Sequence, residues 1–277
     1  MKKAGTLLVA ILAMCNLTAN AQMRSGIDTL TLDQVNYRIT YEAKQVNDTT
    51  ETPYIYHQAQ MRLDIGKNIT HFYNLSKQQW AEQVTQMILN GGVIDLSKAA
   101  PVKCMDWEFC KNYPEKGKTM VEETFAMNHY QCIEDIETPD WQLIPDSSMT
   151  IMNYPCQLAK ANFKGRTWFA WFAEDIPVSE GPWKLYGLPG LILRAYDAQH
   201  QFYLDASGLE DLKGEEPLKY LQSERKAETV SQADLTKIKL RGSDAADVLR
   251  NVKATDKDGN PIKPKARKHV FNPIERQ

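Results

Sequence analysis

Short stretches in which apolar and polar residues alternate recur along most of the chain. Residues 35–41 and 61–65 place an apolar or aromatic side chain at every second position, which is the period of a half-buried β-strand. Residues 69–75 form a third stretch of this kind, and Gly66-Lys67-Asn68 before it predicts a hairpin turn. Further short strands are predicted at 120–125, 129–133, 141–144, 149–153, 156–164, 191–193 and 202–204.

Residues 166–173 carry apolar side chains on both faces rather than on one. Trp168 and Phe172 alternate with Phe169 and Trp171 along this stretch. A strand that is apolar on both sides is covered on both sides, so the segment is predicted as a central strand.

One early helix is predicted at 76–90. Its apolar side chains share one face at helical spacing, as in a helix packed against a core: Trp80, Val84, Met87 and Ile88. Ser76 followed by Gln79 matches a capping box, and Gly91-Gly92 ends the run. One or two further helices are predicted between 214 and 250, where the sequence becomes charged and mixed. The predicted fold class is therefore mainly β, with antiparallel sheet, one clear early helix and one or two late helices.

The N-terminus has the pattern of a secretory signal peptide. Its start is basic, an apolar run follows, and Ala19-Asn20-Ala21 supplies the small residues of a cleavage site. Cleavage after Ala21 predicts an exported protein of the periplasm or cell envelope. A lipid anchor on Cys15 is the competing interpretation, but Met14 stands where that processing site needs a small residue.

The rest of the chain is predicted to form a single β-rich domain over residues 22–250. Residues 251–277 are predicted as a polar C-terminal tail that ends in Asn-Pro-Ile-Glu. No segment after the leader has the roughly 20 consecutive apolar residues of a membrane helix, so we expect no transmembrane segment.

Export changes the expected state of the cysteines. Four remain after the leader, namely Cys104, Cys110, Cys132 and Cys156. An even number in an oxidising compartment predicts two disulfides, and all three connectivities stay open. The spacings do not resemble the clustered Cys and His ligands of a zinc site, so no metal is predicted.

Composition and charge exclude some functions without naming one. The chain has 33 Lys and Arg against 35 Asp and Glu, a formal net charge of −2, and gives no electrostatic basis for binding nucleic acid. The sequence contains neither an HExxH zinc motif nor a Gly-x-Ser-x-Gly nucleophile elbow, and it has no Gly-rich phosphate loop. It therefore predicts no catalytic residue and no cofactor.

The candidate binding residues are two cations and three tryptophans close together in the sequence. Arg166 and Lys184, with Trp168, Trp171 and Trp183, combine the residue types that recognition surfaces favour. An exposed Trp183 could line an apolar groove for a peptide or a lipid-like ligand. The alternative is structural, with each cation packed over an aromatic ring and the tryptophans in the core.

The hexapeptide Gly187-Leu188-Pro189-Gly190-Leu191-Ile192 predicts a turn that enters a buried strand. Proline fixes φ at the second position of a type II turn, and Gly190 would accept the positive φ that the third position requires.

This hexapeptide gives its name to the GLPGLI family of exported Bacteroidetes proteins, which the chain resembles. Tyr154-Pro155-Cys156, Gly165-Arg166, Ala170-Trp171 and Asn272-Pro273-Ile274-Glu275 are similar to further motifs of that family. Leu158 departs from the pattern, because the family usually has a lysine there.

The resemblance implies an exported protein of unknown biochemical function and supplies no catalytic residue. Members of the family look like companions of TonB-dependent outer-membrane receptors. The first hypothesis is thus a non-enzymatic binding or accessory component of such a system. The alternatives are a small-ligand or metal carrier, which a cavity lined by Trp168 or Trp183 would favour, and a hydrolase of peptide or glycan with no identifiable nucleophile. A facing pair of acidic side chains would favour the hydrolase.

Overall fold

The computed structural model describes residues 28–91, 104–125, 128–222, 227–241 and 271–276. The strands in these ranges are β1 (Asp28–Val46), β2 (Tyr56–Gly66), β3 (Thr70–Asn74), β4 (Trp107–Lys111), β5 (Lys118–Phe125), β6 (Asn128–Asp135), β7 (Gln142–Ile151), β8 (Tyr154–Phe163), β9 (Arg166–Ala173), β10 (Leu191–Asp197), β11 (Phe202–Gln222) and β12 (Glu228–Thr229). Two helices accompany them, α1 (Leu75–Leu89) after β3 and α2 (Gln232–Arg241) after β12. The predicted leader with Cys15, and residues 251–270 of the predicted tail, lie outside the described residues.

All the described strands belong to one sheet in the order β12-β6-β5-β4-β3-β2-β1-β11-β10-β9-β8-β7. Every neighbouring pair is antiparallel except β12 and β6. The prediction of a mainly β fold with antiparallel sheet is confirmed. Neither described helix is long and apolar enough to span a membrane.

Two long strands hold the sheet together at its centre. β1 and β11 pair from Asp28 opposite Gln222 to Gln45 opposite Phe202, which joins the two ends of the domain. On either side, most strands pair with their neighbour in sequence, as hairpins do. The hairpin predicted at Gly66-Lys67-Asn68 is confirmed, and its Gly66 N–H donates to the Ile69 carbonyl at 2.9 Å.

The main core lies on one face of the sheet, here called the inner face. Tyr41, Phe72, Phe109 and Trp168 are among its fully buried side chains. Residues 176–190, which connect β9 to β10, cross this face and are mostly buried. A much smaller cluster lies on the opposite, outer face: Cys110, Met120 and Tyr220.

The connection across the inner face reaches strands that are far apart in the sheet. Lys184 forms ion pairs with Glu134 of β6, and Glu180 forms one with Lys111 of β4. The Tyr186 carbonyl accepts a hydrogen bond from Trp141 Nε1 at 2.9 Å. A strap of mostly buried backbone therefore crosses the inner face, where Leu235 of α2 also belongs to the main core.

The early helix is confirmed in position but not in its cap. The Asn74 carboxamide oxygen accepts the Lys77 N–H at 2.8 Å and so caps α1, whereas Ser76 Oγ accepts the Gln60 N–H from the neighbouring strand. The predicted capping box is wrong because β3 ends one residue earlier, which leaves Asn74 at the N-cap position.

The expectation that α1 packs against the core is also wrong. Met87 is 51% exposed, and Trp80 and Val84 are only half-buried. α1 lies beside the outer face of the sheet, where mostly polar residues face it, so its apolar side chains find little apolar surface to contact. In the late region, α2 lies within residues 214–250, where one or two helices are predicted. Residues 214–222 of that region continue β11, because they pair with the start of β1.

The hexapeptide turns in a different way from the one predicted. Its positive φ is at Gly187, at 93°, and Gly190 is not among the residues with positive φ. Gly190 is needed for space instead, since a Cβ there would lie 2.5 Å from the carbonyl carbon of Ala173 and 2.8 Å from the Glu174 nitrogen. The predicted type II turn is wrong, and the glycine allows two backbone segments to approach closely.

The four cysteines are free thiols and all are buried, so the predicted disulfides are absent. Cys110 and Cys132 are paired with Met120 and Val121, consecutive residues of β5, and therefore point to opposite faces of the sheet. Cys156 is on β8, beside the edge strand β7, whereas β4 and β6 lie towards the opposite edge of the sheet. Burial raises the pKa of Cys104 and Cys132 to about 12, which keeps these thiols protonated and unreactive.

Gly190→Ala should lower the free energy of unfolding by roughly 1–3 kcal/mol, because the new methyl group overlaps backbone that cannot move aside. Gly208→Ala is the matched control, since its Cβ would meet nothing closer than Thr40 at 3.7 Å. Urea unfolding of both variants measures the difference. Equal stability of the two variants would contradict the close approach.

A chain lacking residues 1–21 should show four reactive thiols after denaturation without reductant, and almost none before it, because all four cysteines are buried and unpaired. Titration with Ellman's reagent counts them. Two or fewer thiols in the denatured protein would restore the disulfide prediction.

Candidate functional site

Arg166, predicted as a binding residue, has no N–H group free for a ligand. Its guanidinium donates to Asp197 at 2.8 Å, to Gln201 at 3.0 Å and to Asn272 at 2.7 Å. The carbonyls of Pro273 and Ile274 accept its two remaining hydrogen bonds. Both side chains of the Arg166–Asp197 pair are 0% exposed. The arrangement matches the structural alternative considered for this residue.

Arg166 lies where two motifs of the sequence meet. The Asn-Pro-Ile-Glu segment wraps over its guanidinium, and a Cβ at Gly165 would lie 2.6 Å from Cβ of Arg276. The ring of Phe202 lies below the guanidinium, 4.5 Å from its carbon. Burial lowers the pKa of Arg166 to about 10, although the charge of Asp197 acts to raise it. The guanidinium therefore stays charged at neutral pH.

Lys184 is likewise buried and partnered within the chain. Its ammonium group lies between Glu134 and Glu275, and the Lys184–Glu275 distance is 2.5 Å. Burial works against its charge, but the two carboxylates raise the pKa of Lys184 above its ordinary value. Lys184 therefore ties the strap, β6 and the C-terminal segment together.

The three tryptophans are core residues, and one of them also faces a cavity. Trp168 is fully buried with its ring centre 5.3 Å from that of Trp183, and Trp171 is 8% exposed. Trp183 is buried in the left-handed backbone region, with φ at 55°. A bulky residue in this region costs about 1–3 kcal/mol and persists only where its surroundings hold it there.

Trp183 lines a cavity of about 460 Å³ on the inner face, here called the inner cavity. Strands β4 and β5 form one wall, and α2 and residues 271–275 form the other. Its large apolar lining residues are Met105, Trp107, Phe125, Trp183, Phe202 and Phe271.

One side of α2 supplies polar groups to the inner cavity. Gln232, Thr236 and Lys239 are four and three residues apart and so share a face of the helix. Lys239 forms an ion pair with Glu123. Burial raises the pKa of Glu123, and the nearby Lys239 only partly offsets this rise. Gln232 Oε1 is buried and has no hydrogen-bond partner within the described part of the chain. No sequence pattern predicts this strip, because α2 contacts β5 only through the tertiary fold.

A larger space of about 860 Å³, here called the outer cleft, lies between α1 and the outer face of β1 to β6. Polar residues of neighbouring strands line it: Arg38, Asp64, His71, Glu108, Glu122 and His129. These residues were not predicted, although polar residues that alternate with core positions in six strands were a usable signal.

The outer cleft contains no group of three or more His, Cys, Asp or Glu placed to hold a metal ion, and none exists elsewhere in the described residues. Two histidines contact carboxylates in the cleft. His71 Nε2 lies 2.6 Å from Glu108, and His129 Nε2 lies 3.4 Å from Glu122.

A family described as "Protein of unknown function (Porph_ging)" matches residues 119–194, from β5 to β10. This range includes the hexapeptide and both cationic candidate residues. No curated protein matches the sequence.

Comparison with solved structures finds several distant matches. A structure of PNGF-II is 14% identical with a TM-score of 0.45, and the match covers 74% of this chain and 32% of that one. The chain thus spans about a third of that protein's length. A DUF1329 family protein from Desulfovibrio piger is 9% identical with a TM-score of 0.25, over 65% of this chain and 87% of that one. A domain described as an outer membrane lipoprotein-sorting protein, from Vibrio parahaemolyticus, is 8% identical with a TM-score of 0.21. That match covers 70% of this chain and 91% of the other.

Arg166→Gln should lower the free energy of unfolding by roughly 3–5 kcal/mol, because it leaves Asp197 charged and buried without its partner. Arg194→Gln is the control, since its ion pair with Asp205 is about one third exposed and should contribute at most about 1 kcal/mol. Chemical unfolding gives both values. A loss of less than about 1 kcal/mol at Arg166 would contradict the structural role.

Proposed function

We propose that this chain is a non-enzymatic binding protein of the cell envelope that takes up a small amphipathic molecule in the inner cavity. The observation that carries the proposal is the cavity itself, about 460 Å³, lined by aromatic side chains and by one polar strip. Ligand sites in proteins are commonly 300–1,000 Å³, mostly apolar, with a few polar groups that set the orientation.

The lining supports a ligand with an apolar body and one polar end. Trp107, Trp183 and Phe202 would contact the body. Gln232 Oε1, a buried acceptor without a partner, would accept a hydrogen bond from the polar end. An unpaired buried acceptor costs about 1–3 kcal/mol, which such a bond would recover.

The strained backbone at Trp183 supports the same assignment. Strained residues cluster at binding and catalytic sites, where the rest of the fold holds them in place. Lys184 beside it is fixed by two carboxylates, so the indole is held at the cavity wall before any ligand arrives.

The surroundings of the protein belong to the proposal as well. The signal-peptide pattern supports export to the periplasm or cell envelope of a single domain from residue 22, and the GLPGLI resemblance supports partnership with a TonB-dependent receptor. We infer that the protein delivers or retains a ligand for such a receptor complex.

The facing acidic pair Glu108 and Glu122 favours a hydrolase as the second candidate function. The two residues are directly opposite each other on β4 and β5. However, His71 Nε2 contacts Glu108 at 2.6 Å, and Gln131 donates to Glu122 at 2.9 Å. Both carboxylates are therefore already engaged by side chains of the protein, whereas an acid catalyst of glycoside hydrolysis must pass a proton to the substrate.

Thr236→Trp should fill the inner cavity and weaken binding of a dansylated undecanoic acid by roughly tenfold or more, about 1.4 kcal/mol. Thr150→Trp, the same substitution at an exposed position of the edge strand β7, is the control and should bind as the wild type does. Probe fluorescence and tryptophan emission measure binding, and circular dichroism checks folding. Absence of binding to the wild type, or equal binding by the folded Thr236→Trp variant, would contradict the proposal.

A further inference from the structure

We propose that the outer cleft is a second binding site, which takes a ligand carrying a guanidinium or ammonium group. It lies on the opposite face of the sheet from the inner cavity and is built from different side chains of the same strands. Three features of the cleft support this assignment: the alignment of its charges, a histidine nitrogen unpaired among the described residues, and its shape.

The charged side chains form rows across the strands. Arg38, Asp64 and His71 are register partners on β1, β2 and β3, and Glu108 and Glu122 are partners on β4 and β5. Directly opposed residues of an antiparallel pair point to the same face, so all five side chains face the cleft.

Negative charge dominates this surface. The residues that line the cleft include seven carboxylates and three Lys or Arg side chains. Arg38 is already shared between Asp64 at 2.7 Å and Glu216 at 2.6 Å. Glu108 and Glu122 contact histidine and glutamine instead of a permanent cation.

The Glu108–Glu122 pair is unfavourable for folding. Like charges directly opposite each other on neighbouring strands destabilise a sheet. Neutral residues at these positions would leave the strand pairing intact. A cation placed between the two carboxylates removes the repulsion and gains charge-assisted hydrogen bonds.

His71 gives an independent indication of a ligand. The side chain lines the cleft, the residue is only 3% exposed, and Nδ1 has no hydrogen-bond partner among the described residues. Where His71 is neutral and its Nε2 donates to Glu108, Nδ1 is an acceptor without a partner among the described residues. A donor from a ligand would satisfy Nδ1, and the two carboxylates can accept further hydrogen bonds, while guanidinium and ammonium groups only donate.

The size and lining of the cleft favour an organic cation over a metal ion. About 860 Å³ is far more than one ion occupies, and the charges are spread along the strands and not gathered at a point. Tyr73, stacked on His71 at 4.6 Å, and Trp107 add aromatic faces that attract cations. An arginine or lysine side chain of a peptide and a free polyamine share this chemistry.

Isothermal titration of the mature chain with Nα-acetyl-arginine amide tests the proposal, with Nα-acetyl-citrulline amide as the neutral isostere. We expect measurable binding of the arginine compound and at least roughly tenfold weaker binding of the citrulline compound, a difference of about 1.4 kcal/mol. Titrations with an arginine-containing tripeptide and with spermidine then show whether peptides or polyamines are preferred. Equal binding of the two amides, or no binding of the arginine compound at 20-fold excess over millimolar protein, would overturn the proposal.

The double variant Glu108→Gln with Glu122→Gln should lose at least roughly tenfold in affinity for the arginine compound. Glu174→Gln, which removes an exposed carboxylate outside the cleft, is the control and should bind as the wild type does. Since the double variant removes a repulsion, its melting temperature should be equal to or above that of the wild type, so lost binding will not reflect unfolding. A folded double variant with unchanged affinity would contradict the assignment.

Discussion

The buried ion pair of Arg166 and Asp197 is the interaction on which the rest of the structure depends. A charged pair with no exposure is tolerated only when every remaining donor and acceptor is satisfied. Asp197 meets this condition by accepting the Gln201 and Phe202 N–H groups at 2.7 and 2.8 Å. Arg166 meets it only when the Asn-Pro-Ile-Glu segment is in place. The C-terminal segment is thus a required part of the domain. Residues 242–270 before it and residue 277 after it lie outside the described ranges.

This closure also determines where a ligand can bind. Residues 271–275 form a wall of the inner cavity, and Glu275 holds Lys184 beside Trp183. The same contacts that neutralise the buried cations therefore complete the cavity. Motif residues that are far apart in the sequence meet here for one physical reason, the burial of positive charge under an apolar sheet. Their first role is architectural, and the cavity is its consequence.

Local patterns predicted most of the strands and few of the tertiary relationships. Alternation identified β2, and apolar residues on both faces identified β9, whereas β4 was not predicted and β11 only in its first three residues. The apolar spacing of α1 could not tell on which face of the sheet the helix would lie, so α1 was wrongly expected in the core. Cysteine number predicted disulfides, but the register that separates Cys110 from Cys132 is set by strand order. Gly190 was correctly identified as special, for the wrong reason, because a close approach between distant segments leaves no local trace.

The inner cavity and the outer cleft both arise because successive residues of a strand point to opposite faces of the sheet. On β3, β4 and β5 the inward residues Phe72, Phe109 and Val121 alternate with the outward residues His71 and Glu122. Trp107, Asp106 and Glu123 line both spaces where the strands end, so the two sites share a wall. A substitution at that wall would disturb both sites and could not separate them. Thr236 of α2 lines only the inner cavity and Glu108 lines only the outer cleft, so these are the positions at which the two proposed binding activities can be tested independently.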